Sequence, residues 1–366
     1  MGSFATRGHE IALRLVVRAV VSERPPHALL LAGPDRVGKT TLALDLAAGL
    51  LCLAADPQER PCRDCAACRK VAHGNHPDLH RLAPEGAGQQ IRVGQVQALS
   101  TDLALLPLEG RFRIAVIERA DRLNVDTQNV LLKTLEEPPP ATVLVLAADE
   151  TAALLPTVVS RCARVRMGPV ASDVIAEMLV EAGATDASRA GALGRLAAGR
   201  PGVAFALAAR PDATLIHTRL AGALLDLLRQ DRRRRLAAHN ELLEDAAALA
   251  VAAADVVAEV EAAPARERST RRASPAERRA AAQHLIELWT DVARDVAVAA
   301  RDGRRELRQY ELLDELTAAG ANVDAAEMAR FVGRLDAAAR AVDAYANPEL
   351  ALDALLVEWP RATART

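Results

Sequence analysis

Two patterns of hydrophobic and polar positions divide the chain. In the first half, short uninterrupted apolar runs alternate with stretches of helical periodicity. Ala28–Ala32, Ile114–Ile117, Val143–Ala147 and the alternating Ala163–Met167 read as strands, with Leu79–Leu82 a weaker one, and Thr40–Leu51, Val93–Leu105 and Val125–Leu135 read as helices between them. Continuous apolar strands separated by helices predict an α/β domain whose parallel sheet is covered on both faces. From about Gly168 the strand pattern stops. Ala, Leu, Arg and Glu then recur at helical spacing to the end, punctuated at Gly199–Gly202, Pro211 and Pro264–Pro275. The expected layout is an α/β domain over 1–168, a small helical domain over 169–210 and an all-helical domain over 211–366, with no internal repeat.

Composition narrows the possible functions. At roughly 100–200 residues per domain, 366 residues fit two or three domains. A 51% hydrophobic and 26% charged chain buries a core easily and is not disordered. The formal charge of −2 provides no global basic field, so nucleic acid would have to be met through a local patch or through partners. Aromatic residues at 2% argue against gripping single strands by base stacking. Three lysines stand against 43 arginines, so Arg-for-Lys bias runs through the whole chain. The dense runs Arg232–Arg235 and Arg266–Arg279 therefore read first as solvated helix or loop faces, and only second as DNA contacts. There is no charged-then-apolar amino terminus, and no apolar run approaches the roughly 18–20 residues of a membrane span. A cytoplasmic protein is expected.

Three motifs carry chemistry. Gly33-Pro-Asp-Arg-Val-Gly38-Lys39-Thr40 matches G-x-x-x-x-G-K-[ST] between a strand and a helix, the context of a phosphate-binding loop. In such a loop the backbone N–H groups and the helix N-terminus converge on phosphates. Lys39 would then reach the β/γ-phosphates, and the Thr40 hydroxyl a Mg²⁺ ion. The strand Ile114–Ile117 should supply the acid that holds Mg²⁺, and it ends in Glu118-Arg119. Glu118 is a degenerate candidate, and Arg119 cannot be a base because guanidinium stays protonated. Asp121 and Asp149 are the alternatives if the 118–119 pair is solvated loop. Nucleotide binding with poor hydrolysis is expected.

The second motif, Cys52, Cys62, Cys65 and Cys68, reads C-x₉-C-x₂-C-x₂-C, the spacing of a closed structural Zn²⁺ site with no open position for catalysis. His73, His76 and His80 lie just downstream and could replace a ligand, with ordinary surface histidines the first reading, and Cys162 reads as a small core residue. The third, Ser160-Arg161-Cys162, has a surface salt bridge as its default reading.

The P-loop, the cysteine insertion, Asn129-Val-Leu-Leu-Lys-Thr-Leu-Glu-Glu-Pro-Pro139 and Ser160-Arg161-Cys162 occur in one order. Together they resemble the AAA+ subunits of the bacterial replicative clamp loader, as do His76-Pro-Asp78 and Asn347-Pro-Glu-Leu-Ala-Leu-Asp-Ala-Leu-Leu356. The resemblance is strong to about Val170 and weak beyond it. It implies a P-loop domain with a zinc knuckle, a small helical lid and a helical collar. It also implies gamma/tau and delta subunits as ring partners, with the beta sliding clamp and primer-template DNA met through the assembled loader of DNA polymerase III. The family's motor subunits carry Asp-Glu at Glu118-Arg119, a polar sensor at Ala147-Ala148 and a lid arginine aligned with Gly202 (Arg200 lies two residues away). Three departures in one site imply a stator with little or no intrinsic ATPase, ATP or ADP binding staying open; the alternative is a gamma/tau-type motor. The resemblance further implies that Arg161 is an arginine finger acting in trans on a neighbour's ATP.

Overall fold

The computed structural model describes residues 2–84, 90–258, 274–303 and 306–362. Contacts divide the chain into two compact units: residues 1–174 with 199–202, and residues 175–198 with 203–366.

The first unit is built on five parallel strands, β1 (Ala28–Ala32), β2 (Leu79–Leu82), β3 (Arg113–Ile117), β4 (Thr142–Ala148) and β5 (Ala163–Arg166), in the order β2-β3-β4-β1-β5. The apolar runs form strands because both of their faces are covered. Leu29 and Leu31 of β1, with Val143 and Val145 of β4, pack against α1 (Glu10–Ser22) and α2 (Lys39–Leu51). The intervening Ala28, Leu30, Leu144 and Leu146 pack on the opposite face, against α4 (Val93–Leu103) and α5 (Val125–Glu136). A two-residue period thus feeds two separate cores. In the edge strand β5 only Val165 is buried, which is why its sequence alternates. Observed boundaries differ from the expected ones by a residue or two at strand and helix ends.

The register positions the site. Ala32 of β1 lies beside Ala148 of β4, and Ile117 of β3 beside Leu146. The carboxyl ends of three adjacent strands therefore deliver Gly33, Glu118-Arg119 and Asp149 to one edge of the sheet, the usual place for ligands in an open α/β sheet. Asp45 of α2 is buried and accepts the N–H groups of Ala5 (3.0 Å) and Thr6 (2.8 Å), while Arg63 pairs with the same carboxylate. One side chain so ties the amino-terminal segment, the P-loop helix and the cysteine loop together. The cysteine loop that leaves that helix leads into α3 (Ala66–Ala72).

The second unit is helical throughout its described residues, and α13 (Pro275–Ala299) is its centre. It packs against α10 (Pro211–Asp226), α12 (His239–Ala258), α14 (Leu313–Asn322), α15 (Ala325–Asp343) and α16 (Pro348–Glu358). Ser274 and Glu277 form a capping box at the start of α13. Trp289, Phe331 and Trp359 interlock at ring-centroid distances of 5.7, 5.3 and 4.8 Å, joining α13, α15 and the residue after α16. Asn347 caps α16 by accepting from Glu349 and Leu350, with Pro348 in the first turn, which explains that motif structurally.

The basic runs need correction. Arg232, Arg233 and Arg234 are exposed, but Arg235 of α11 (Arg232–Ala237) is 1% exposed and is neither a solvated charge nor a DNA contact. In the second run, Arg266, Arg268, Arg271 and Arg272 lie outside the described residues. Arg278 pairs with Glu349, and the Arg279 guanidinium stacks 4.4 Å from the Tyr345 ring centre. Among the described residues no helix is long and apolar enough to cross a membrane.

Candidate functional site: a phosphate loop and a cysteine cluster

The loop from Gly33 to Thr40 joins β1 to α2. Gly38 precedes the helix at φ 108°, in the left-handed region that a side chain rarely tolerates, and this turn sets Lys39 and Thr40 in the first turn of α2. Lys39 is 6% exposed, and its Nζ donates to the carbonyls of Gly33 (2.8 Å) and Pro34 (2.6 Å) and to Asp149 Oδ1 (2.7 Å). Thr40 is half-buried beside it. Glu118 is not brought to Lys39. Its N–H continues the ladder onto Leu82, and its carboxylate takes two hydrogen bonds from Arg81, 2.7 and 2.9 Å long.

The acid on the lysine is Asp149, one residue past β4, so a polar group does follow Ala147-Ala148 there. Arg119 Nε lies 3.1 Å from its other oxygen, and its backbone N–H donates to Asp121 Oδ1 (3.0 Å). Burial pushes the Asp149 carboxyl above its ordinary pKa, against the pull of Arg119 and Lys39. Gly202, in the position aligned with the motors' lid arginine, donates its N–H to the Arg36 carbonyl (3.0 Å). A Cβ there would stand 3.0 Å from the Arg36 Cβ, so this position lies pressed against the loop.

The four cysteines converge from the end of α2, the following loop and the start of α3, with all four sulfurs within 4.8 Å of one another. Cys52 Sγ lies 3.5 Å from Cys62 Sγ and 4.0 Å from Cys65 Sγ. Tetrahedral Zn–S bonds of about 2.3 Å require sulfurs about 3.8 Å apart, so the donor set fits one metal ion. Backbone N–H groups already point at the sulfurs, from Ala54 and Cys62 to Cys52, from Cys65 to Cys62, and from Cys68 to Cys65. The amide of Cys65, then that of Asp64, brings the Cys62 thiol down to about 7. His76 does not join the cluster, nor is it a surface histidine. It is buried, and its Nδ1 accepts the Asp78 N–H (3.1 Å). Asp78 in turn accepts the N–H groups of Leu108 (2.6 Å), Glu109 (2.8 Å) and Gly110 (2.7 Å), which makes His76-Pro-Asp78 a loop-holding device. Cys162 lies in the core.

Arg161 follows the short helix α6 (Pro156–Val159). Nη1 donates to the Thr157 carbonyl at 3.0 Å, Nη2 pairs with Glu136 of α5 at 2.8 Å, and the side chain remains 36% exposed. The arrangement holds a guanidinium at the surface of the first unit, on one carbonyl and one exposed carboxylate.

Residues 8–171 match the family model described as DNA polymerase III, delta subunit. The Bacillus subtilis DNA polymerase III subunit delta' is 34% identical over 169 residues, 46% of this chain and 50% of that protein. Its Pseudomonas aeruginosa counterpart is 43% identical over 141 residues, 37% of this chain and 41% of that protein. These matches make the chain similar, over less than half its length, to delta-prime subunits of DNA polymerase III. The Bacillus subtilis tau subunit also matches, at 29% identity over 168 residues, 46% of this chain and 29% of that protein. The chain spans half or less of the length of these relatives, and the similarity lies in the unit that carries the P-loop, the cysteine cluster and Arg161.

Asp149, one of the two alternatives the sequence offers to Glu118, is the acid that meets the P-loop lysine. Glu118 follows the β3 run directly and so reads as the acid, whereas the contact to Lys39 comes from Asp149, at the end of the strand adjacent to β1. The signal that could have found it was the charged residue at the end of the most buried strand, β4, next to β1 in a parallel sheet.

Proposed function

We propose that this chain acts as a delta-prime-type subunit of the DNA polymerase III clamp loader, a stator that helps load the sliding clamp onto primed DNA. The match of residues 8–171 to the DNA polymerase III delta-subunit model, together with the similarity to delta-prime subunits, carries this reading. The P-loop site supports it: Arg119, which cannot take a proton from water, sits on the carboxylate nearest Lys39. Residues 169–210 would be the lid and 211–366 the collar that meets neighbouring subunits. Gamma/tau and delta are the partners on this reading, and the beta clamp and primer-template DNA are met through the complex. Cys52, Cys62, Cys65 and Cys68 would hold a structural Zn²⁺, which cross-links α2 to the following loop. Gly33, Gly38, Lys39 and Thr40 would contact the phosphates of ATP or ADP with Mg²⁺, whereas Glu118 would have to leave Arg81 to help.

Arg161 would act on a neighbour. A guanidinium held, among the described residues, by Glu136 and Thr157 can exchange those contacts for a γ-phosphate across a subunit boundary, where such residues are worth about 10³–10⁵ in rate. Arg161→Ala should leave folding and assembly intact and lower the DNA-stimulated ATPase of the reconstituted loader; an unchanged rate removes the finger. The function itself is tested by assembling gamma/tau and delta with and without this chain and scoring clamp loading on primed DNA. Loading should require the chain, and loading at full rate without it overturns the reading. A gamma/tau-type motor is the second reading, favoured by the complete Gly33–Thr40 loop and the tau similarity. It predicts turnover by the chain itself.

A further inference from the structure

Lysine carries three N–H donors and no more. In Lys39 all three are used inside the protein, on the carbonyls of Gly33 and Pro34 and on Asp149 Oδ1, at 2.6 to 2.8 Å. The ammonium that a P-loop keeps for phosphate is thus fully engaged. Asp149 does not rest there by chance of rotamer. Its second oxygen is 3.1 Å from Arg119 Nε, and its backbone N–H is fixed by Asp121. Asp121 also holds Arg119 (3.3 Å) and lies 3.6 Å from Arg122 Nε. Arg119 itself is set by a left-handed backbone, φ 55°, that turns the chain sharply after β3. The carboxylates of Asp149 and Asp121 alternate with the cations Lys39, Arg119 and Arg122 and offset much of the positive field that would draw in a polyphosphate, and Asp149 places a negative charge beside the ammonium that a phosphate would need.

We propose that Asp149, held in place by Arg119, is an internal counter-ion for the P-loop lysine, and that these two residues set the affinity of the loop for nucleoside di- and triphosphates. The proposal rests on the reading of Gly33–Thr40 as a nucleotide site. A nucleotide enters by displacing the Asp149 carboxylate from Lys39, and Arg119 opposes that displacement by holding the other carboxylate oxygen. Arg119, the second residue after β3, then does two things: it offers no base, and it fastens the lock.

Equilibrium titration of the full chain with a fluorescent ATP analogue and Mg²⁺ tests this, with thermal unfolding confirming that each variant is folded. Asp149→Ala should bind at least tenfold tighter than wild type, Arg119→Ala should show a smaller gain, and adding Lys39→Ala to Asp149→Ala should abolish the gain. Weaker binding by Asp149→Ala overturns the proposal while leaving the nucleotide site standing, with Asp149 then a ligand of the Mg²⁺-nucleotide. Equal, tight binding by wild type and Asp149→Ala also overturns it alone. Absence of binding by every folded variant overturns both the counter-ion and the nucleotide site beneath it.

Discussion

Arg235 offers a sharp test of how the helical unit is held together. Its guanidinium, 1% exposed, faces no carboxylate in the described contacts and donates instead to five backbone carbonyls. Nε serves Leu227 (2.9 Å) and Gln230 (3.1 Å), Nη1 serves Trp359, and Nη2 serves Pro360 (3.0 Å) and Leu228 (3.4 Å). In Arg235→Ala the Leu227 and Leu228 oxygens keep backbone donors, from Gln230 and Ala362. Among the described hydrogen bonds, the oxygens of Gln230, Trp359 and Pro360 depend on the side chain. Leaving a buried acceptor unpaired costs about 1–3 kcal/mol. With water entering the space, three of them put Arg235→Ala at about 3–5 kcal/mol of lost stability. Arg235→Lys, which offers a single nitrogen on a shorter stem, should recover about half. Both tryptophans of the chain, Trp289 and Trp359, are buried in this unit, so tryptophan fluorescence during urea unfolding reports it selectively. Exposed Arg232→Ala and Arg233→Ala should stay within about 0.5 kcal/mol of wild type. If Arg235→Ala also did so, the carbonyl cluster would not be what joins α11 to the end of α16.

Other expectations follow from the first unit. Burial pushes the Asp78 carboxyl up, but the N–H groups of Leu108, Glu109 and Gly110 outweigh it and hold the pKa below the ordinary carboxylate value. A carboxyl depressed by folding stabilises the protein above its unfolded pKa and loses that contribution as pH falls through the folded one. Asp78→Asn should therefore destabilise the chain at pH 7, with the difference from wild type shrinking in an acid titration below about pH 4; a constant difference would refute the assignment. Metal analysis should find about one Zn²⁺ per chain, and a strong chelator should lower the midpoint of thermal unfolding. The chelator should leave a Cys52→Ser, Cys62→Ser variant unmoved.

The sheet was legible in the sequence because β1, β3 and β4 are buried on both faces, and nothing but a continuous apolar run satisfies that position. The Cys spacing and the strand–loop–helix order at Gly33–Thr40 were equally local. What could not be read was the pairing of charges across the fold. Glu118 follows β3 directly, yet its backbone continues the ladder toward β2, so its side chain meets Arg81 rather than the P-loop. Arg119 and Asp149 are thirty residues apart and meet only because β3 and β4 are neighbours. In α11 four consecutive arginines look equivalent. Asp231, which caps the helix by accepting the Arg234 N–H at 2.9 Å, sets the phase that turns only Arg235 inward. His76 likewise reads in sequence as one of three surface histidines, and only the buried Asp78 beside it gives it a task.

The measurement that bears most directly on a stator is steady-state hydrolysis of Mg·ATP by the purified chain, alone and with primed DNA. With Glu118 on Arg81 and Arg119 on Asp149, no release of phosphate above the Lys39→Ala variant should be seen. Turnover by the lone chain at a rate matching the assembled loader, abolished by Lys39→Ala, would contradict it.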